Sequence, residues 1–141
     1  MRTKILSQKQ PPIVGLAFVL NLIGKKVKVT VDRPLGSTHP KFDYKYPVNY
    51  GYVENFISGD GDFLDAYILF EKKPLKEYSG VVGAVIHRLD DNDDKLIVLP
   101  RGKKVDVDVI KKSLWFQEKY FCSVIFANKK IAIFNHSVKK I

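Results

Sequence analysis

The sequence predicts an α+β fold in which a small antiparallel or barrel-like sheet precedes one main helix. Three observations point to it. Short apolar segments with strand character occupy most of the chain up to Leu99, a single long helical pattern follows, and Gly, Pro, Asn and Asp clusters separate the segments. Strands grouped first with a helix late is the order of an α+β domain; a doubly wound parallel sheet would alternate the two.

The elements follow in order. Lys26 to Arg33 alternates polar and apolar residues, which directs Val27, Val29 and Val31 inward from a half-buried strand. Pro34, Gly36 and Pro40 end it and open a loop. Aromatic residues crowd Phe42 to Tyr52, and Asn49 to Val53 enters a further extended segment. Ser58-Gly59-Asp60-Gly61-Asp62 reads as a turn, and Ala66 to Phe70 as a short buried strand after it. Val81 to His87 and Lys95 to Leu99 are two more strands, joined by Asp90-Asp91-Asn92-Asp93-Asp94 as a hairpin loop and closed by Pro100 and Gly102. Asp108 to Phe121 is the main helix, with Asp108 as N-cap and Ile110, Leu114 and Phe121 on one face beside Trp115. Ser123 to Phe126 and Ile131 to Phe134 form a final strand pair around Asn128-Lys129-Lys130.

A chain of 141 residues fits one domain with a single core, and 45% apolar and 28% charged residues are ordinary globular values. The net charge of +9 favours anionic partners, whether nucleic acid, an anionic membrane or a small phosphate compound. Cys122 is the sole cysteine, so no intrachain disulfide forms and nothing argues for an oxidising compartment; a cytoplasmic location is the expectation. Arg2, Lys4 and Lys9 precede an apolar run from Ile13 to Leu20 that is too short to cross a bilayer, lacks a clear cleavage site and is interrupted by Asn21. Residues 1–20 are read as a leader or a start-site artefact, and 21–141 as the domain. No membrane partner is expected.

The most informative stretch is Asp60-Gly61-Asp62-Phe63-Leu64-Asp65, with three carboxylates in six residues. Such carboxylates repel unless protonated or neutralised. A hard divalent cation such as Mg²⁺ removes that cost, since it takes carboxylate oxygens and retains waters beside a phosphate. Gly61 permits the sharp bend between Asp60 and Asp62. A solvated acidic turn explains the same six residues without chemistry. An EF-hand does not, because Leu64 and Asp65 stand at the fifth and sixth loop positions, where a ligand and a glycine belong. The Asp90–Asp94 run is by itself an ordinary polar hairpin loop. Taken with the first cluster, it places a second acidic group at a strand end, with Lys95 adjoining. Arg33, at the end of a strand, offers a planar fork suited to phosphate. Tyr46 and Tyr50 offer hydroxyl donors. His39, His87 and His136 are too dispersed for a metal site.

These residues resemble the family I soluble inorganic pyrophosphatases. The likeness runs through Val31-Asp32-Arg33, then Tyr46-Pro47-Val48-Asn49-Tyr50-Gly51-Tyr52-Val53, then Asp60-Gly61-Asp62-Phe63-Leu64-Asp65. It continues more weakly through Asp93 to Pro100 and into Glu118-Lys119-Tyr120. The resemblance implies a five-stranded, OB-like barrel with helices outside, and Mg²⁺-dependent hydrolysis of pyrophosphate to two phosphates. It implies that Asp60, Asp65 and Asp93 hold metal, with Asp90 a further ligand and Asp91 its rival. Asp62 would orient or deprotonate the attacking water, and Arg33, Lys95, Tyr46 and Tyr120 would bind the phosphates. The partner implied is a small molecule, pyrophosphate, rather than nucleic acid, and self-association into a homo-oligomer is left open.

The chain departs from the family pattern in three places. The hairpin that supplies a glutamate, a lysine and a second glutamate ahead of the arginine strand is shortened. Phe63 replaces a proline, and Phe121 replaces a lysine. Metal binding is thus better preserved than phosphate binding, which keeps a second substrate class, a nucleotide or organic diphosphate, and a catalytically weak relative in view. A nucleic-acid-binding barrel is the reading from a different class: the net charge favours it, while the acidic clusters and the scattered lysine pairs oppose it.

Overall fold

The computed structural model describes residues 11–127 and 130–135. His136, and Asn128 and Lys129 of the expected last turn, lie outside the described residues. The elements in chain order are α1 (Leu16–Leu20), β1 (Lys26–Arg33), β2 (Asn49–Ile57), β3 (Phe63–Ile68), β4 (Glu77–Arg88), β5 (Asp93–Leu99), α2 (Val107–Glu118), β6 (Ser123–Ala127) and β7 (Lys130–Asn135).

Five strands close into a barrel in the order β1-β2-β3-β5-β4, because β1 pairs with both β2 and β4. The long β4 serves two neighbours along its length. Glu77 to Val81 pair with β1, and Ala84 to Arg88 pair with β6, which carries β7 on its far side. The register of β4 against β5 shifts between Val82 and Ala84, where one neighbour gives way to the other. The sheet is mixed rather than purely antiparallel, since β3 and β5 run parallel with Asp65 opposite Lys95. The chain between them contains all of β4, which supplies the long crossover that a parallel pair requires. That register sets two predicted site residues side by side.

Strand alternation sorts the core into two clusters. Val27, Val29, Val53, Leu64, Ala66, Ile68, Val85, Leu96 and Val98 meet on one face of the strands. Tyr67, Leu69, Ala84, Ile86, Ile97 and Leu99 point the other way, under Ile110 and Leu114 of α2. Helix α2 starts earlier than its sequence pattern suggests: the Asp106 carboxylate, not Asp108, accepts a hydrogen bond from the Val109 backbone at 2.9 Å and caps it. The helix ends at Glu118, so Phe121 leaves the core-facing stripe and lies instead beneath the Arg88 guanidinium, 3.7 Å from its ring centre. Gly51 is fixed by crowding, since a Cβ there would lie 1.9 Å from the Thr30 carbonyl oxygen across the β1–β2 pair.

Residues 12–20, assigned from sequence to a segment ahead of the domain, pack on the barrel in this structure. The Val14 amide donates to the Ile57 carbonyl at 2.8 Å, and Val14, Val19 and Leu22 join the cluster that contains Val27 and Leu64. Val19 is fully buried. Replacing Val19 with alanine removes two buried methyl groups, and the expected cost is about 1.5–3 kcal/mol including the cavity left behind. A shifted urea midpoint at constant slope checks it. An unchanged midpoint would mean that the segment does not contribute to the core.

Candidate active site

The site begins with two turns. In the first, the Ser58 amide donates to the Asp62 carbonyl at 2.8 Å and the Gly61 amide to the Ser58 carbonyl at 3.0 Å, with Gly61 at φ +87°. That left-handed backbone is what the glycine permits. The Asp60 carboxylate accepts from the Asp62 amide at 3.0 Å, which turns both aspartates outward from one tight loop. The second turn joins β4 to β5 and has Asn92 at φ +55°. The two turns touch. A Cβ at Gly59 would lie 3.2 Å from the Asn92 carbonyl oxygen, and the Ser58 hydroxyl donates to Asp93 Oδ1 at 2.8 Å. Two acidic loops that are remote in sequence thus meet at one end of the barrel.

Lys95 stands where they meet, 3% exposed. Its ammonium contacts Asp65 Oδ2, Asp93 Oδ2 at 2.7 Å and the Tyr50 hydroxyl at 3.0 Å, so all three of its N–H groups are used. Burial alone would lower the Lys95 pKa; the charges of Asp65 and Asp93 outweigh it and hold the group well above its ordinary value. Asp60 is raised, chiefly by burial and further by the charges of Asp93 and Asp65, which places its carboxyl in the same electrostatic group. Among the described residues, no group of three or more His, Cys, Asp or Glu side chains is gathered closely enough to hold a metal ion. The donors nearest to doing so are Asp60, Asp65 and Asp93. They offer oxygen only, which suits a hard cation, and the Lys95 ammonium already occupies a cationic position between two of them.

Behind this group runs a buried polar chain that the sequence reading did not identify. Arg88, 6% exposed, is held by Glu118, which is fully buried, through Nε to Oε1 at 3.0 Å and NH2 to Oε2 at 2.6 Å. The Tyr67 hydroxyl also donates to Glu118, at 2.5 Å, and accepts from Gln117 Nε2 at 2.6 Å. Gln117 Oε1 then accepts from the Tyr46 hydroxyl at 2.7 Å, and Tyr46 accepts from Arg33 at 2.6 Å. The chain thus spans from the Arg33 fork to Arg88, whose NH1 lies 3.8 Å from Asp93. Pattern reading offers little signal for the links through Gln117 and Glu118, because they join residues 30 to 71 positions apart.

Two clefts share Arg33 and Tyr50. One, of about 700 Å³, is lined by Asp32, Arg33, Asp62 and Asp65 among others. The second, of about 380 Å³, is lined by Arg33, Phe42, Tyr44, Arg88 and Tyr120 among others. Of the predicted site residues, Asp60, Asp65, Asp93 and Lys95 form the charged group. Asp62 and Arg33 open on the first cleft, and Tyr120 lies at the mouth of the second. Tyr46 sits behind Arg33. Asp90 is turned elsewhere and accepts a hydrogen bond from the Cys122 backbone at 2.8 Å, while Asp91 lies 3.8 Å from Arg88. His87 and Asp94 pair with each other at 2.7 Å.

The aromatic wall also predicts an alkaline limit. Burial pushes the Tyr44 hydroxyl up to about 12, from about 10 in the unfolded chain. The folded state therefore binds that proton more tightly. Its contribution to stability is complete below pH 10 and is lost as pH rises through about 12. A tyrosinate absorbance titration followed alongside circular dichroism is expected to show delayed ionisation that coincides with unfolding.

No protein-family model matches the chain. Two curated proteins named inorganic pyrophosphatase, from Xylella fastidiosa strains 9a5c and Temecula1, are each 30% identical to it over 104 residues, or 66% of this chain and 57% of the relative. The chain thus spans little more than half the length of these curated relatives. Among solved structures, the inorganic pyrophosphatase of Ehrlichia chaffeensis matches with a TM-score of 0.53 at 17% identity, covering 67% of this chain and 80% of that one. That of Coxiella burnetii matches with a TM-score of 0.54 at 16% identity, covering 70% and 78%. The chain therefore has the fold of the bacterial inorganic pyrophosphatases and is related in sequence to curated proteins of that name.

Proposed function

We propose that this chain hydrolyses inorganic pyrophosphate to two phosphates with the help of Mg²⁺. The observation that carries the reading is the meeting of the 58–62 and 90–93 turns around Lys95, beside a cleft that Arg33, Asp62 and Asp65 line. Asp60, Asp65 and Asp93 would hold the metal after drawing closer together than they stand in this structure. When bound, the metal lowers the pKa of a water and offsets charge on the phosphates. Asp62, exposed on the tight turn, would orient the attacking water and accept its proton. Arg33 binds the phosphate oxygens through its planar fork, with Tyr46 fixing the guanidinium from behind. Tyr120 adds a hydroxyl from the end of α2, and Lys95 supplies a fixed positive charge among the carboxylates. Most of the rate gain arises from positioning and preorganised charge.

No described helix is long and apolar enough to cross a membrane. The reading places the enzyme in the cytoplasm, with a small phosphate compound as its partner.

Phosphate release from pyrophosphate with and without Mg²⁺ tests the reading. Turnover is expected with the metal and none after its removal by a chelator. Absence of phosphate release across a range of Mg²⁺ and Mn²⁺ concentrations would reject it.

A further inference from the structure

We propose that the cleft walled by Phe42, Tyr44 and Tyr120 is a stacking subsite for the base of a nucleoside triphosphate whose phosphates lie against Arg33. This rests on the reading of the Arg33 cleft as a phosphate site. Pyrophosphate has no apolar surface; its hydrolysis has no use for the ring of Phe42, and of Tyr120 it uses the hydroxyl rather than the ring face. Phe42 and Tyr120 are nevertheless 59% and 53% exposed, with their rings 6.5 Å apart at the centroids and their planes 21° apart. Phe42 is also nearly parallel to Tyr44, at 7°. Packing accounts for Tyr44 and Phe116, which adjoin the buried core; Phe42 and Tyr120 stand outside that cluster.

The position of the rings relates them to charge. Arg33 and Tyr50 line both clefts, so a ligand with phosphates in the wider one can place a flat group in the aromatic one. Arg88 lies along the same wall, its guanidinium already stacked on Phe121. Aromatic faces beside arginines recognise bases without regard to their hydrogen-bonding edges, because every base presents a π face. The subsite is therefore expected to take purine and pyrimidine nucleotides alike, with purines tighter through their larger rings.

The test measures binding by titration calorimetry in Mg²⁺ for β,γ-methylene ATP and for inorganic tripolyphosphate, which has the same run of phosphates without a base. The nucleotide is expected to bind about tenfold more tightly, in line with one stacked base. Phe42→Ala is expected to erase that difference, Phe42→Trp to preserve it, and pyrophosphate to displace the nucleotide. Pyrophosphate hydrolysis should be unchanged in Phe42→Ala. Equal affinity for the two ligands, binding of neither, or a preference that survives Phe42→Ala overturns the subsite. If pyrophosphate is not hydrolysed but the Phe42-dependent preference is present, the catalytic reading fails and the subsite stands.

Discussion

Replacing Asp62 with asparagine is expected to lower kcat for pyrophosphate by about 10²–10⁴-fold, the usual range for removal of a general base. The substitution tests chemistry rather than folding, because Asp62 is exposed and its Oδ1 accepts a hydrogen bond from the Phe63 backbone at 2.7 Å, which an asparagine oxygen can retain. KM should change little, because the assigned phosphate contacts come from Arg33 and Tyr120. Asp65→Asn makes the contrasting control. It removes half of the charge balance around Lys95 and should therefore reduce stability as well as activity. Wild-type turnover by the Asp62 variant at an unchanged melting temperature would remove Asp62 from the mechanism. Equal loss of stability in both variants would mean that the 58–62 turn is a structural unit and not a reactive one.

What the sequence disclosed and what it withheld divide along physical lines. The period-two alternation of Val27, Val29 and Val31, the turn at Ser58–Asp62 and the Asp-rich loops are local signals, and local geometry honours them: β1 forms as expected and Gly61 adopts its left-handed turn. The partnership of Asp65, Asp93 and Lys95 was legible only as a likeness to a known motif. Its physical cause is the β3–β5 parallel register, which no local pattern encodes. The same limit hid the crossover that makes the sheet mixed. It also hid Asn49, whose buried side chain takes hydrogen bonds from Leu35 and Leu75 and gives one to Lys73, fastening two loops. Asp106 and Asp108 are equivalent as caps on composition alone, and the helix start is decided by which carboxylate reaches the Val109 amide. The run from Ile13 to Leu20 reads as a poor signal segment because it is short and Asn21 interrupts it, yet it packs on the barrel through buried Val14 and Val19, with Leu16 and Leu20 against the same cluster.

The second large effect is expected at Arg88, which no motif marks, and at Glu118, which opens the weakly matching Glu118-Lys119-Tyr120 stretch. Arg88→Met would leave a fully buried carboxylate without its cation, at an expected cost of about 3–5 kcal/mol. That is a large share of the roughly 5–15 kcal/mol that holds a domain of this kind together. Glu118→Gln should cost less, because the amide oxygen can still accept from Tyr67 and Arg88 keeps Asp93 at 3.8 Å. The double variant Arg88→Met/Glu118→Leu should be less destabilised than the sum of the single variants, since it buries no lone charge; the coupling is expected to exceed about 2 kcal/mol. Urea unfolding of the wild type, Arg88→Met, Glu118→Leu and the double variant measures it. Additive losses, or a loss below about 1 kcal/mol for Arg88→Met, would show that the pair is not the anchor of this face. The consequence should also reach the site, because Glu118 and its neighbour Gln117 fix Tyr67 and Tyr46, and Tyr46 fixes Arg33. Glu118→Gln, if it folds at assay temperature, should therefore raise KM more than it lowers kcat. That division would identify the α2 end as a positioning device for the phosphate-binding arginine rather than a participant in the chemistry.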